Sequence, residues 1–202
     1  MHQNTTDDHS STRAVRRAVL FVALANFAFF FVEFGVALAI QSVSLFADSI
    51  DFLEDTAVNL LIFVGLGWAA AARARLAMVL AFVLLVPGIA TLWSAWNAWQ
   101  SETIPEPVAL SLTGAGALVV NVACAFILAR VREHSGSLTR AAFLSARNDA
   151  FANVGIIGAG LLTAMTLSRW PDLVVGLAIF AINLDAAREV LGAAREEHAA
   201  AK

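Results

Sequence analysis

Charge is scarce in this chain, and so are the residues that thiol or imidazole chemistry needs. Charged residues make up 14% of the 202 positions, where a soluble domain would carry about a quarter. There is one cysteine, Cys124, which excludes an internal disulfide and any thiolate-rich metal site. It lies in an apolar run and reads as a small core residue. Tyrosine is absent, and there are four prolines. The net charge of −3 is too small to point toward nucleic acid. A cleavable leader is not expected, because the stretch after Arg13, Arg16 and Arg17 is too long and lacks a clean small-residue cleavage site.

What is present is apolar sequence. Hydrophobic residues reach 59% and mean hydropathy is +0.75, enough for six spans of ~20 residues each. The predicted spans are 15–39, 46–71, 76–99, 107–130, 139–167 and 172–195. Short breaks separate them, which favours antiparallel neighbours. The expected fold is therefore an all-α membrane protein of six transmembrane helices. Residues 1–14 read as a disordered polar tail and 196–202 as a short second one. The second span has the weakest hydropathy, since four acids crowd its first turns. Its apolar remainder from Leu60 to Ala72 is too short alone, so the acids must belong to the helix.

The basic residues set an orientation. Arg13, Arg16 and Arg17 precede span one, Arg73 and Arg75 follow span two, and Arg130, Arg132 and Arg140 lie between spans four and five. Arg188, Arg195 and Lys202 come at the end, whereas the other side has Arg169 with the acids Glu102, Glu106 and Asp172. Both termini are predicted to be cytoplasmic, in a multi-pass protein of a bacterial inner membrane. Trp93, Trp96, Trp99 and Trp170 read as interfacial anchors, Pro87-Gly88 as a kink, and Gly114, Gly116, Gly155, Gly158 and Gly160 as points of close helix approach.

Against that background the polar residues inside the spans stand out. Asp48, Asp51, Asp55 and Asn59 fall within an arc of roughly 80° on one helix face. An ionised carboxylate in hydrocarbon costs at least ~2.5 kcal/mol, so the cluster must face protein, water or a cation. Ser145, Asp149 and Asn153 repeat the i, i+4, i+8 spacing on span five. Asn26 and Glu33 share a face of span one, Asn121 lies in span four, and Asn183 and Asp185 in span six. A single buried Asn is expected to bond between helices. Grouped carboxylates need a cation or a shared proton, and Asp51 and Asp55, one turn apart, can converge on one ion. Arg147 either reaches the cytoplasmic surface or pairs with an acid such as Glu54.

Two runs carry a family resemblance. Asn26-(x6)-Glu33 followed by Ser44-Leu45-Phe46-Ala47-Asp48-Ser49-Ile50-Asp51-Phe52-Leu53-Glu54-Asp55 resembles the first two helices of the cation diffusion facilitator family. The run from Arg140 to Gly155, with Ser145, Asp149 and Asn153, is similar to its fifth, and Asn121 matches a frequent family Asn. The resemblance covers nearly all of 15–195. It implies a proton-coupled exporter of divalent cations (Zn, Co, Cd, Mn or Fe), usually a homodimer, with no permanently bound cofactor. By position it implies Asp51, Asp55, Asp149 and Ser145 as ligands, with Asp48 beside them; Asn59, Asn153, Asn26 and Glu33 are the expected supporting polar residues. Ser145 stands where the family usually has His, and a neutral hydroxyl is a poor zinc ligand. The family's histidine-rich loop is reduced to His134, and its usual cytoplasmic C-terminal domain does not follow span six.

Two other readings compete. A non-transporting relative would bind metal or serve as a partner subunit. An intramembrane aspartyl protease would also need one Asp on each of two membrane helices, but the absence of tyrosine removes the usual Tyr-Asp motif.

Overall fold

The computed structural model describes residues 3–65, 89–131 and 136–184, and all the regular structure among them is helical. The helices are α1 (Gln3–Ile40), α2 (Val43–Gly65), α3 (89–100), α4 (Pro107–Val131), α5 (Gly136–Thr166) and α6 (Trp170–Leu184). Three are long and apolar enough to cross a bilayer by themselves: Arg13–Ile40 within α1, all of α4, and Thr139–Thr166 within α5. Helix α2 falls outside that group, as its four acids led us to expect. Arg73, Arg75, Pro87, Gly88, His134 and Asp185 lie outside the described residues, as does everything after Leu184.

Helix α1 differs from expectation at its start. It begins at Gln3 rather than near residue 15, so residues expected as a disordered tail extend the apolar span as helix. Propagating an existing helix fixes one residue per added hydrogen bond and avoids the nucleation cost, so a polar extension is inexpensive. At the other end Gln41 takes a left-handed conformation, φ 56°, and the Ser42 amide donates back to the Ala37 carbonyl at 3.0 Å. This left-handed C-cap turns the chain directly into α2.

Helices α1 and α2 pack along each other, as do α4 and α5, and α1 closes against α4. The bundle has three layers. At the end bearing the start of the α1 span, Val15, Val19, Val22, Ile62, Leu128, Ala142 and Ala146 form one apolar cluster. At the opposite end, where α2 begins, Ala37, Leu45, Phe46, Ile50, Leu110, Ile156 and Ile179 form another. Polar side chains occupy the level between. Helices α1, α2, α4 and α5 each supply all three layers because the buried face of each recurs at helical spacing. On α4 that face reads Leu110, Gly114, Ala117, Asn121, Cys124 and Leu128, with the polar residue in mid-series.

Of the glycines expected at close contacts, Gly160 makes the tightest. A Cβ there would meet the Ser111 Oγ at 2.1 Å and the α4 backbone at 3.1 Å. Gly158 meets nothing within 4 Å. Trp93, Trp96 and Trp99 are exposed, and Trp99 stacks edge-on against Trp170 while Arg169 donates to its carbonyl. The aromatic anchors thus also tie α3 to the start of α6.

Helix α6 is bound to α2 by an unexpected residue. Asp172, counted from sequence among the acids on the side opposite the arginines, is 1% exposed and caps α2. Its Oδ1 accepts from Ser42 Oγ (2.7 Å), Ser44 Oγ (2.5 Å) and the Ser44 amide (3.2 Å), and its Oδ2 from the Val43 amide (2.7 Å). Two orphan amides at a helix N-terminus are satisfied by an acid from another helix, placed where the helix dipole favours negative charge. Gly176, one turn on, has the Ser44 amide nitrogen 2.7 Å from where its Cβ would be, so α6 can approach only without a side chain there. Asp172→Ala is expected to lower unfolding free energy by roughly 2–4 kcal/mol, since several hydrogen bonds to one acid are lost together. Asp172→Asn should cost less. Thermal unfolding of the purified protein in detergent measures both, and a native-like melt for the alanine variant would show that the cap does not hold the helices.

Candidate cation site

The polar layer is a set of hydrogen-bonded groups to which five helices contribute. On α2, Asp48, Asp51 and Asp55 are all buried, as their common helix face predicts. Asp55 accepts from Ser145 Oγ of α5 at 2.9 Å and, at a longer 3.4 Å, from Asn26 Nδ2 of α1. Asp48 accepts from Asn153 Nδ2 of α5 at 2.5 Å, and Asn153 Oδ1 accepts from Asn121 Nδ2 of α4 at 3.0 Å. Asp51 accepts at Oδ1 from Asn183 Nδ2 of α6. Cys124 belongs to the core as expected, and its thiol lies 3.5 Å from Asn26 Oδ1.

The predicted ligands therefore gather in one layer. Ser145 and Asp149 are half-buried on α5, and Asp149 lies within electrostatic reach of Asp55, Asp51 and Asp48. Convergence stops short of a metal polyhedron, however. Among the described residues no three of His, Cys, Asp and Glu come together closely enough to hold one ion. The carboxylates instead take their donors from neutral side chains: a serine for Asp55 and asparagine amides for Asp48 and Asp51.

Some supporting residues behave otherwise. Asn59 donates to the backbone carbonyl of Asp55 at 2.8 Å, so it braces its own helix instead of reaching across. Arg147 is exposed and its guanidinium meets Asn148 Oδ1 at 3.3 Å, which accounts for both residues outside the layer. Glu33 of α1 is fully buried with both carboxyl oxygens lacking a donor among the described residues, and so is Asp48 Oδ1. The two carboxyl groups lie within electrostatic reach of each other, and two buried acids so placed are relieved by a positive charge, a proton or a metal ion.

Sequence reasoning left Asn183 out of the site. The signal was available: Asp172, Gly176, Ile179 and Asn183 recur at i, i+4, i+7 and i+11, the stripe of a helix packed along one neighbour. Asp172 and Gly176 meet the start of α2, Ile179 joins the cluster that holds Ala47 and Ile50, and Asn183 arrives at Asp51.

The profile of the cation efflux transmembrane domain matches residues 19–195. The chain belongs to the cation efflux family. A search of curated proteins matches none. The family consists of integral membrane proteins that transport metal cations, so this chain is a metal cation transporter by descent. The cation is cargo, not a resident cofactor.

Ser145 gives the layer a test of its own. Ser145→His places an imidazole, a good zinc ligand, one turn from Asp149. Calorimetric titration of the purified chain is expected to show Zn²⁺ affinity rising at least ~10-fold relative to Mn²⁺. An unchanged ratio in a folded variant would place Ser145 outside the ligand set.

Proposed function

We propose that the chain is a proton-coupled exporter of divalent metal ions, with Asp51 and Asp55 of α2 and Asp149 of α5 as the principal ligands and Ser145 as an auxiliary one. The observation that carries this reading is the position of those carboxylates. Buried Asp51 and Asp55 from one helix and half-buried Asp149 from another share the polar level between two apolar clusters, about midway across a bilayer-length bundle. Arg13, Arg16 and Arg17 stand at the end where the α1 span begins and Arg130 at the same end of α4, which supports a cytoplasmic N-terminus and metal entry from that side. A bacterial inner membrane and a homodimer complete the proposal.

Proton coupling has a direct chemical basis. Metal ions and protons compete for the same carboxylate lone pairs, so binding releases protons and acid releases metal. Loading is therefore favoured at higher pH and discharge at lower pH. The contact of Glu33 with Asp48 offers a proton a place next to the ligands, on a pair not counted among them. The competing non-transporting role draws support from one feature, that the acids do not close on a common point.

Transport across proteoliposome membranes decides between these. Zn²⁺, Co²⁺, Cd²⁺, Mn²⁺ and Fe²⁺ would each be offered on one face with the opposite lumen made acidic. We expect uptake of a subset of these ions that scales with the pH gradient, and loss of at least ~99% of it in Asp55→Ala and Asp149→Ala, because each deletes a charge that the ion must be paired with. Uptake that ignores the gradient would remove proton coupling. No uptake of any ion by folded protein would leave the partner-subunit role.

A further inference from the structure

The carboxylates come from α2 and α5, yet the residue that occupies Asp51 comes from neither. Asn183 of α6 donates its amide hydrogen to Asp51 Oδ1. It is half-buried, on the final described turns of a helix whose opposite end is pinned to α2 by Asp172 and Gly176. The pinning sets the register of α6 against α2, so Asn183 is delivered to Asp51 by the packing of the whole helix rather than by a flexible loop.

A primary amide has a donor at one end and an acceptor at the other. As long as Asp51 carries the negative charge, the nitrogen end faces it. A divalent ion bound to Asp51 reverses the electrostatics at that spot, repelling N–H and attracting a carbonyl oxygen. Turning the terminal amide half a revolution exchanges one for the other without moving the helix, since that torsion is broad and two-fold. Carbonyl oxygens of Asn are ordinary ligands for hard divalent ions, which favour many oxygen donors over few soft ones. Among the described residues the acids of the layer are met by groups of the same oxygen- and amide-bearing kind, a serine hydroxyl and asparagine amides, and by no imidazole.

From this geometry we propose that Asn183 is a further ligand of the transported ion, supplied by α6 through its amide oxygen, and that it biases the site toward hard, oxygen-coordinated divalent ions of the Mn²⁺ class. The inference rests on the transporter reading above. It assigns α6 a direct part in cargo selection in addition to its packing role.

Isothermal titration of the intact chain in nanodiscs at neutral pH, with Mn²⁺ and separately with Zn²⁺, tests it through three proteins. Asn183→Leu keeps the bulk and removes both amide ends; Mn²⁺ affinity is expected to fall at least ~10-fold, and by more than Zn²⁺ affinity does. Asn183→Asp keeps an oxygen and removes the donor; Mn²⁺ affinity is expected to hold or rise, with a steeper dependence on pH. If the amide only holds Asp51 and competes with the ion, Asn183→Leu binds as tightly as the native chain or more tightly, and that result overturns the proposal. Should the leucine variant fail to fold, Asn183→Ala takes its place with the same two opposed outcomes, because it also removes both amide ends. Native protein that binds neither ion would overturn the transporter reading and this one with it, whereas native binding unaffected by both substitutions overturns this one only.

Discussion

A carboxylate placed where lipid surrounds the bundle must find a hydrogen-bond donor or a cation, and that requirement organises this fold. Three aspartates on one face of α2 and a glutamate on α1 are buried, and neighbouring helices meet the aspartates with neutral polar side chains. Ser145 and Asn153 come from α5, Asn26 from α1 and Asn183 from α6. Asn121 of α4 does not touch an acid, but it holds Asn153 in the orientation that aims its donor at Asp48. Amide and hydroxyl donors suit a site that must give its ligands up. An arginine in their place would bring a permanent charge and compete with the cargo at every step. Arg147 stays outside, against Asn148.

The same requirement explains why the apolar clusters sit above and below the polar layer and not around a central core. Helices α1, α2, α4 and α5 are each long enough to bury two apolar patches, and their polar residues fall between the two at the same level. On α1 that order is Val15, Val19, Val22, then Asn26 and Glu33, then Ala37. The apolar patches provide the close packing that keeps the helices in register. The register in turn sets which donor reaches which acid, because one helical step of about 100° would swing Asn153 away from Asp48.

Much of this was visible in the order of residues. The acidic face of α2, the spacing of Ser145, Asp149 and Asn153, and the paired Asn26 and Glu33 all follow from helical periodicity combined with the cost of burying charge. The assignment of α2 as helix despite its poor hydropathy followed from the same cost, since such acids had to be inside. Two residues escaped notice for a common reason. Asp172 near a helix start looks like an ordinary loop acid, and Asn183 like an isolated interhelical amide. What matters about each is its partner more than 125 positions away, and a residue's own neighbourhood in sequence does not encode that. The polar extension of α1 escaped for the opposite reason. Local composition favoured a loose tail, while the adjoining span carried the helix through it.

Helix α6 connects these themes. It is joined to the start of α2 by four hydrogen bonds to Asp172 and to the middle of α2 by one amide. The contacts between α2 and α5 are different in kind: Ser145 with Asp55 and Asn153 with Asp48, each made to an acid that an ion or proton would engage. Under the proposed assignment, loading exchanges the bonds between α2 and α5 and turns the Asn183 amide at Asp51, while leaving the Asp172 cap untouched. An alternating-access motion requires some helix pairs to separate and others to travel together. Under the proposed site assignment, this distribution of bonds has α2 and α6 travelling together and the α2–α5 seam exchanging protein contacts for cargo. The strongest joint in the bundle lies at its end and the most exchangeable ones at its middle, which lets the site reorganise without unfolding the scaffold that positions it.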